Sequence, residues 1–78
     1  ISWVIYKNVL LIKDKLDGLN ITNIEKVSKI ENIKVKLNAL LLKKPNYVNL
    51  INYYIQQLDN LKETYNYQNE INEILTID

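Results

Sequence analysis

NYVNLINYYIQQLDNLKE, residues 46–63, is the stretch whose reading decides the fold. Within it Tyr47, Ile51, Tyr54, Leu58 and Leu61 recur at alternating intervals of four and three residues. That spacing lays the five side chains along one side of a helix, as in a coiled-coil seam, and no strand period of two accounts for it. It predicts a helix over about Asn46 to Glu63. Pro45 sets its start, because proline is accepted in a first helical turn and disrupts an interior one. The uncharged run between Lys44 and Asp59 is interrupted by Asn46, Asn49, Asn52, Gln56 and Gln57, so it is too short and too polar to span a bilayer. No membrane insertion is expected.

Toward the N-terminus, Thr22-Asn23-Ile24-Glu25 has the form of a capping box opening a helix that runs to about Lys43. Its inward residues are expected to be Ile24, Val27, Ile30, Leu37 and Leu41. Ile33 to Leu37 alternates as a strand would, but a lone strand has nothing to pair with here. Helix is therefore the better reading, with a bend allowed near Glu31-Asn32. Before it, Ser2 to Asp17 places Ile5, Val9, Ile12 and Leu16 on one stripe. Gly18, the single glycine, is expected to close this helix as a left-handed cap.

Toward the C-terminus, a break at about Thr64 to Tyr67 is expected. A short fourth helix would follow, with Ile71, Ile74 and Leu75 inward and Glu70 in its first turn. Four helices and short loops predict an all-α, compact four-helix bundle filling residues 1–78 as one domain. The chain begins at Ile1 and shows no signal peptide, so it is expected to be a domain of a longer protein.

Composition narrows function mostly by exclusion. There is no His and no Cys, which removes the usual general bases, thiol nucleophiles and transition-metal ligands. One glycine cannot supply a phosphate-cradling loop. Asp14 with Asp17, and Glu70 with Glu73, are carboxylates three apart; nothing in the sequence completes a site around either, and solvated helix surface is the favoured reading. No enzyme, no cofactor, no metal and no small-molecule substrate are expected. The sequon Asn20-Ile21-Thr22 carries little weight in a chain so rich in asparagine. Forty of the 78 residues are Ile, Asn, Lys or Tyr, and arginine is absent. A/T-rich codons specify those four types, so the bias reads as an A/T-rich genome.

Two features stand out against this background. Charge is segregated: residues 1–44 carry a balance of +5 and residues 45–78 one of −4. Lys26, Lys29, Lys36, Lys43 and Lys44 could offer a basic face to nucleic acid or an acidic partner. The favoured alternative is that the two halves pack together and offset each other. With no arginine, any nucleic-acid binding is expected to be weak and non-specific. The second feature is surplus apolar surface on the first helix. Trp3, Tyr6 and Leu10 form a stripe apart from Ile5–Leu16, and Val4 with Leu11 lie on a third side. Either the helix is central and buried all round, which is the favoured reading, or the stripe meets a protein partner or a second copy. Tyr53, off the seam, is a smaller candidate contact residue.

The runs Val9-Leu10-Leu11-Ile12 and Tyr53-Tyr54-Ile55-Gln56-Gln57-Leu58, in a chain of this length, helix count and composition, resemble the ACDC domain. This is the C-terminal module that accompanies apetala-type DNA-binding domains in apicomplexan transcription factors. The resemblance implies a nuclear accessory domain acting by protein contacts rather than by reading DNA, and it carries over no functional residue. The residues themselves leave localisation open. The reading is a non-enzymatic protein–protein interaction module, with transcription regulation as its context. Its rivals are a lysine-rich domain binding nucleic acid non-specifically and a structural helical segment of a parasite surface or exported protein.

Overall fold

Ile5, Val9 and Leu16 on the first helix, Ile30 on the second and Leu58, Leu61 and Tyr65 on the third form one buried cluster. In a computed structural model, which describes residues 2–76, these residues lie on three helices: α1 (Ser2–Asp17), α2 (Asn23–Lys43) and α3 (Val48–Leu75). A 3₁₀ turn over Pro45–Tyr47 joins α2 to α3. No strand occurs among the described residues.

Side-chain contacts give the topology. Asn8 Nδ2 donates to Tyr54 Oη at 2.6 Å and Tyr65 Oη donates to Asp17 Oδ1 at 2.7 Å, so α1 runs parallel to α3. Asn23 Nδ2 donates to Gln68 Oε1 at 3.3 Å and Lys62 Nζ to Glu31 Oε1 at 2.7 Å, so α2 runs antiparallel to α3. The result is up-down-up. α3 is the shared spine: α2 packs along it most extensively and α1 less so, whereas α1 and α2 barely meet backbone to backbone.

The all-α class is as expected, but the four-helix bundle is not: there are three helices. The break expected at Thr64 to Tyr67 is absent, and α3 runs through it for 28 residues. The segment contains neither proline nor glycine, and Tyr65 prolongs the three-four spacing of Leu58 and Leu61 into the core. The Thr64 hydroxyl donates to the Asn60 carbonyl at 3.1 Å, a bond made within a helix rather than at its end. Glu70 therefore lies near the C-terminal end of α3 and not in a first turn. Ile71, Ile74 and Leu75 are exposed, not inward.

Other boundaries follow local chemistry. The Thr22 hydroxyl accepts from the Glu25 N–H at 3.2 Å, opening α2 as the capping pattern requires. α2 is continuous through Glu31-Asn32 and through the strand-like Ile33–Leu37. Ile24, in its first turn, is exposed rather than inward, whereas Val27, Ile33 and Leu37 pack against the core. Tyr47 falls in the 3₁₀ turn and is exposed, so the seam of α3 begins at Ile51. Gly18 is not a left-handed cap, since no described residue has positive φ. Its N–H reaches the Asp14 carbonyl at 3.0 Å, carrying the α1 hydrogen-bond pattern one residue further.

Candidate functional site

α1 buries only one side. Ile5, Val9 and Leu16 point to α3, and the favoured expectation of a central helix buried all round is wrong. In a three-helix arrangement each helix meets two neighbours at most, so its remaining sides face solvent. Trp3 is 69% exposed, and Val4, Tyr6, Leu10 and Leu11 are exposed with it. Trp3, Tyr6 and Leu10 lie one turn apart along the same side of the helix. The Lys7 ammonium stands over the Trp3 ring, 5.2 Å from its centroid, a cation–π contact. Tyr53 belongs elsewhere: it is half-buried against the core on α3 and joins no exposed patch.

The five lysines expected to form a basic face do not act together. Lys26 Nζ is held 3.2 Å from Asp17 Oδ1 and 5.1 Å from the centre of the Tyr65 ring, so it is a structural contact. Lys29 and Lys36 line an open groove between α1 and α2. Lys43 and Lys44 stand exposed at the end of α2. The offsetting of charge between the two halves is carried, among the described residues, by one pair, Lys34 with Asp59. Lys62 closes the same cluster by reaching back to Glu31 at 2.7 Å. Such half-exposed pairs contribute modestly each.

Asp17, expected with Asp14 to be solvated helix surface, is instead a polar centre. Lys13 Nζ at 2.8 Å, Tyr65 Oη at 2.7 Å and Lys26 Nζ at 3.2 Å converge on its carboxylate. The Lys13 hydrogen bond, followed by that of Tyr65, holds its pKa down to about 2. Glu31 is shifted down as well, chiefly by the hydrogen bond from Lys62. Burial, and then the bond to Asp17, push the Tyr65 phenol well above its ordinary range. A carboxylate whose folded pKa is depressed contributes stability above its unfolded pKa and loses it as pH falls through the folded value. Stability should therefore be level above pH about 5 and decline between pH about 4 and 2. Because Asp17 is more than a third exposed, its share is about 1 kcal/mol after solvent screening. Thermal melts at pH 7, 4 and 2.5 test this, and Asp17→Asn should flatten part of the slope. A parent protein equally stable at all three pH values would remove the network from the account.

Among the described residues no group of three or more His, Cys, Asp or Glu could hold a metal ion. No helix there is long and apolar enough to cross a membrane. A second depression, lined by Leu37, Leu40, Tyr47, Leu50, Ile51 and Tyr54 where α2 turns into α3, is entirely apolar. The three arrangements are an exposed aromatic row, a lysine-lined groove and an apolar cleft. Comparison with known proteins finds no matching family model, and neither a curated protein nor a solved structure matches significantly.

Proposed function

We propose that this chain is a non-enzymatic protein–protein interaction module whose contact face is the Trp3–Tyr6–Leu10 side of α1. The observation that supports it is the exposure of the chain's one tryptophan together with a tyrosine and a leucine in a row on a regular helix. Aromatic side chains offer large contact area for few rotatable bonds, and they dominate the energetics of interfaces. A contiguous apolar row on a small domain is more than the scattered exposed residues every protein carries. Such a row suits a partner helix with its own apolar stripe. A role in transcription regulation rests on the ACDC resemblance, of which length and composition remain once the helices number three.

The test separates contact from core. Tyr6→Ser with Leu10→Ser should leave the melting temperature within a few degrees of the parent, because neither side chain contributes to the buried cluster. The Trp3 emission should lie to the red and be quenched by iodide. A photo-crosslinker replacing Tyr6, in the protein expressed in its own cells, should give a discrete protein adduct that Leu10→Ser abolishes. A blue-shifted, unquenched Trp3 in a monomeric sample, or adducts to nucleic acid alone, would end the proposal.

A further inference from the structure

We propose that the groove between α1 and α2 is a docking site for an acidic amphipathic helix of a protein partner. The groove exists because α1 and α2 both pack on α3 and scarcely on each other. No residue of α3 lines it, so it opens on the side away from α3. Each wall is one face of a helix. Ile12, Lys15, Leu16 and Leu19 come from α1 and the turn after it, and Lys29, Asn32, Ile33 and Lys36 from α2. In both sets the residues follow the first at offsets of three, four and seven, the spacing of a single helical face.

The chemistry of the occupant follows from what the two walls leave unmet. Leu19 is 46% exposed, and Ile12 and Ile33 are half-buried, so the floor is an apolar strip open to water. Lys15, Lys29 and Lys36 stand exposed along it, and none has an ion-pair partner among the described residues. No carboxylate lines the groove. Lys13, Lys26, Lys34 and Lys62, by contrast, are engaged in ion pairs within the fold. The groove therefore asks for apolar surface and negative charge together.

The placement of those charges selects a helix. Asp17 on α1 pairs with Lys26 on α2, and the two helices are antiparallel, so Lys15 stands about level with Lys29 on the opposite wall. Lys36 follows seven residues beyond Lys29, about two turns or 10.5 Å along a straight helix. Ammonium groups thus border a straight apolar strip from both sides. A helix with an apolar stripe and carboxylates on both flanks meets the floor and all three cations at once. It would stand opposite α3 and complete a four-helix arrangement. A nucleic acid would bring phosphates to the lysines but leave the floor uncovered, and a flat bilayer surface does not reach a floor recessed between two helices. The groove lies on a different side of α1 from Trp3, Tyr6 and Leu10, so it stands or falls separately from that contact face.

Titration of the chain into fluorescent peptides, read by anisotropy, tests it. One helical peptide carries leucines at three-four spacing with glutamates on both flanks. A second has lysine in place of each glutamate, and a third scrambles the order of the first. The acidic amphipathic peptide should bind, more weakly as salt rises, and roughly tenfold or more tighter than either of the others. Lys29→Glu with Lys36→Glu should reverse the preference in favour of the lysine peptide, since like charges then face the acidic one. Leu19→Ser should weaken the acidic peptide several-fold at unchanged circular dichroism, because Leu19 lies outside the core cluster. Tyr6→Ser with Leu10→Ser should leave its binding unchanged. A parent chain that binds all three peptides alike, or none of them, would overturn the proposal. So would a preference indifferent to Lys29 and Lys36, or binding lost only in the Tyr6 and Leu10 variant. Displacement of the peptide by duplex DNA or anionic vesicles, with Leu19→Ser silent, would reduce the groove to a charged surface and overturn it equally.

Discussion

Leu58→Ala should lower the stability of the fold by about 2–5 kcal/mol, the range for truncating a fully buried leucine. Among the described residues Leu58 and Ile30 are the two large side chains with no exposed surface, and they belong to the cluster shared by all three helices. Removing three carbons there loses their transfer free energy and leaves a void that α1, α2 and α3 would all have to move to fill. At roughly 0.05–0.15 kcal/mol per residue, a domain of this size has only about 4–12 kcal/mol in total. The variant should therefore show a urea midpoint near half that of the parent or lower, at an unchanged slope. Leu42→Ala is the matched control: Leu42 is 87% exposed on α2, and its loss should stay within about 0.5 kcal/mol. Equal midpoints for the two variants would mean that the three-helix packing around Leu58 is wrong.

The parts of the fold legible in the sequence were those settled by local spacing. Ile51, Leu58 and Leu61 were placed correctly because a three-four interval on a helix admits one buried side whatever it packs against. Thr22 was legible for a similar reason, since its hydroxyl serves an N–H three residues away. What could not be read depended on the number of neighbours. Spacing puts Trp3, Tyr6 and Leu10 on a second side of α1, but whether that side is covered depends on how many helices exist. Expecting four made a buried α1 reasonable; with three, it has no partner to bury against. Ile24 was misplaced for a related reason, because its stripe is right but the first turn of α2 lies where no apolar side chain covers it. The groove rim was half visible: Lys29 and Lys36 are seven apart in sequence, while Lys15 joins them only through tertiary packing. The helix count itself was the avoidable error, for the interval from Leu58 to Leu61 to Tyr65 continues the same stripe across the supposed break.

Tyr65 is where that error can be measured. Tyr65→Ala should cost about 3–5 kcal/mol, as loss of a large buried aromatic does, while Tyr65→Phe should cost about 1–2 kcal/mol. The ring is 3% exposed within the core cluster and lies beneath the Lys26 ammonium, so Ala forfeits packing and a cation–π contact together. Phe keeps both and loses only the hydroxyl that donates to Asp17. That bond has a charged acceptor, which makes it stronger than a neutral one. Asp17, however, retains Lys13 and Lys26 and remains open to water, so the cost stays at the low end for such bonds. The Phe variant should also lose less stability than the parent during acid titration, its decline ending at a higher pH. Asp17 then lacks one of the hydrogen bonds that depress its pKa, and it protonates earlier as pH falls. A chain broken into a loop at Thr64 to Tyr67 makes the opposite prediction. There Tyr65 would be solvated, both substitutions would fall within about 0.5 kcal/mol of the parent, and the acid limb would not move. Urea denaturation of the parent and the two variants at pH 7 and pH 3.5 therefore decides between a continuous α3 and an interrupted one.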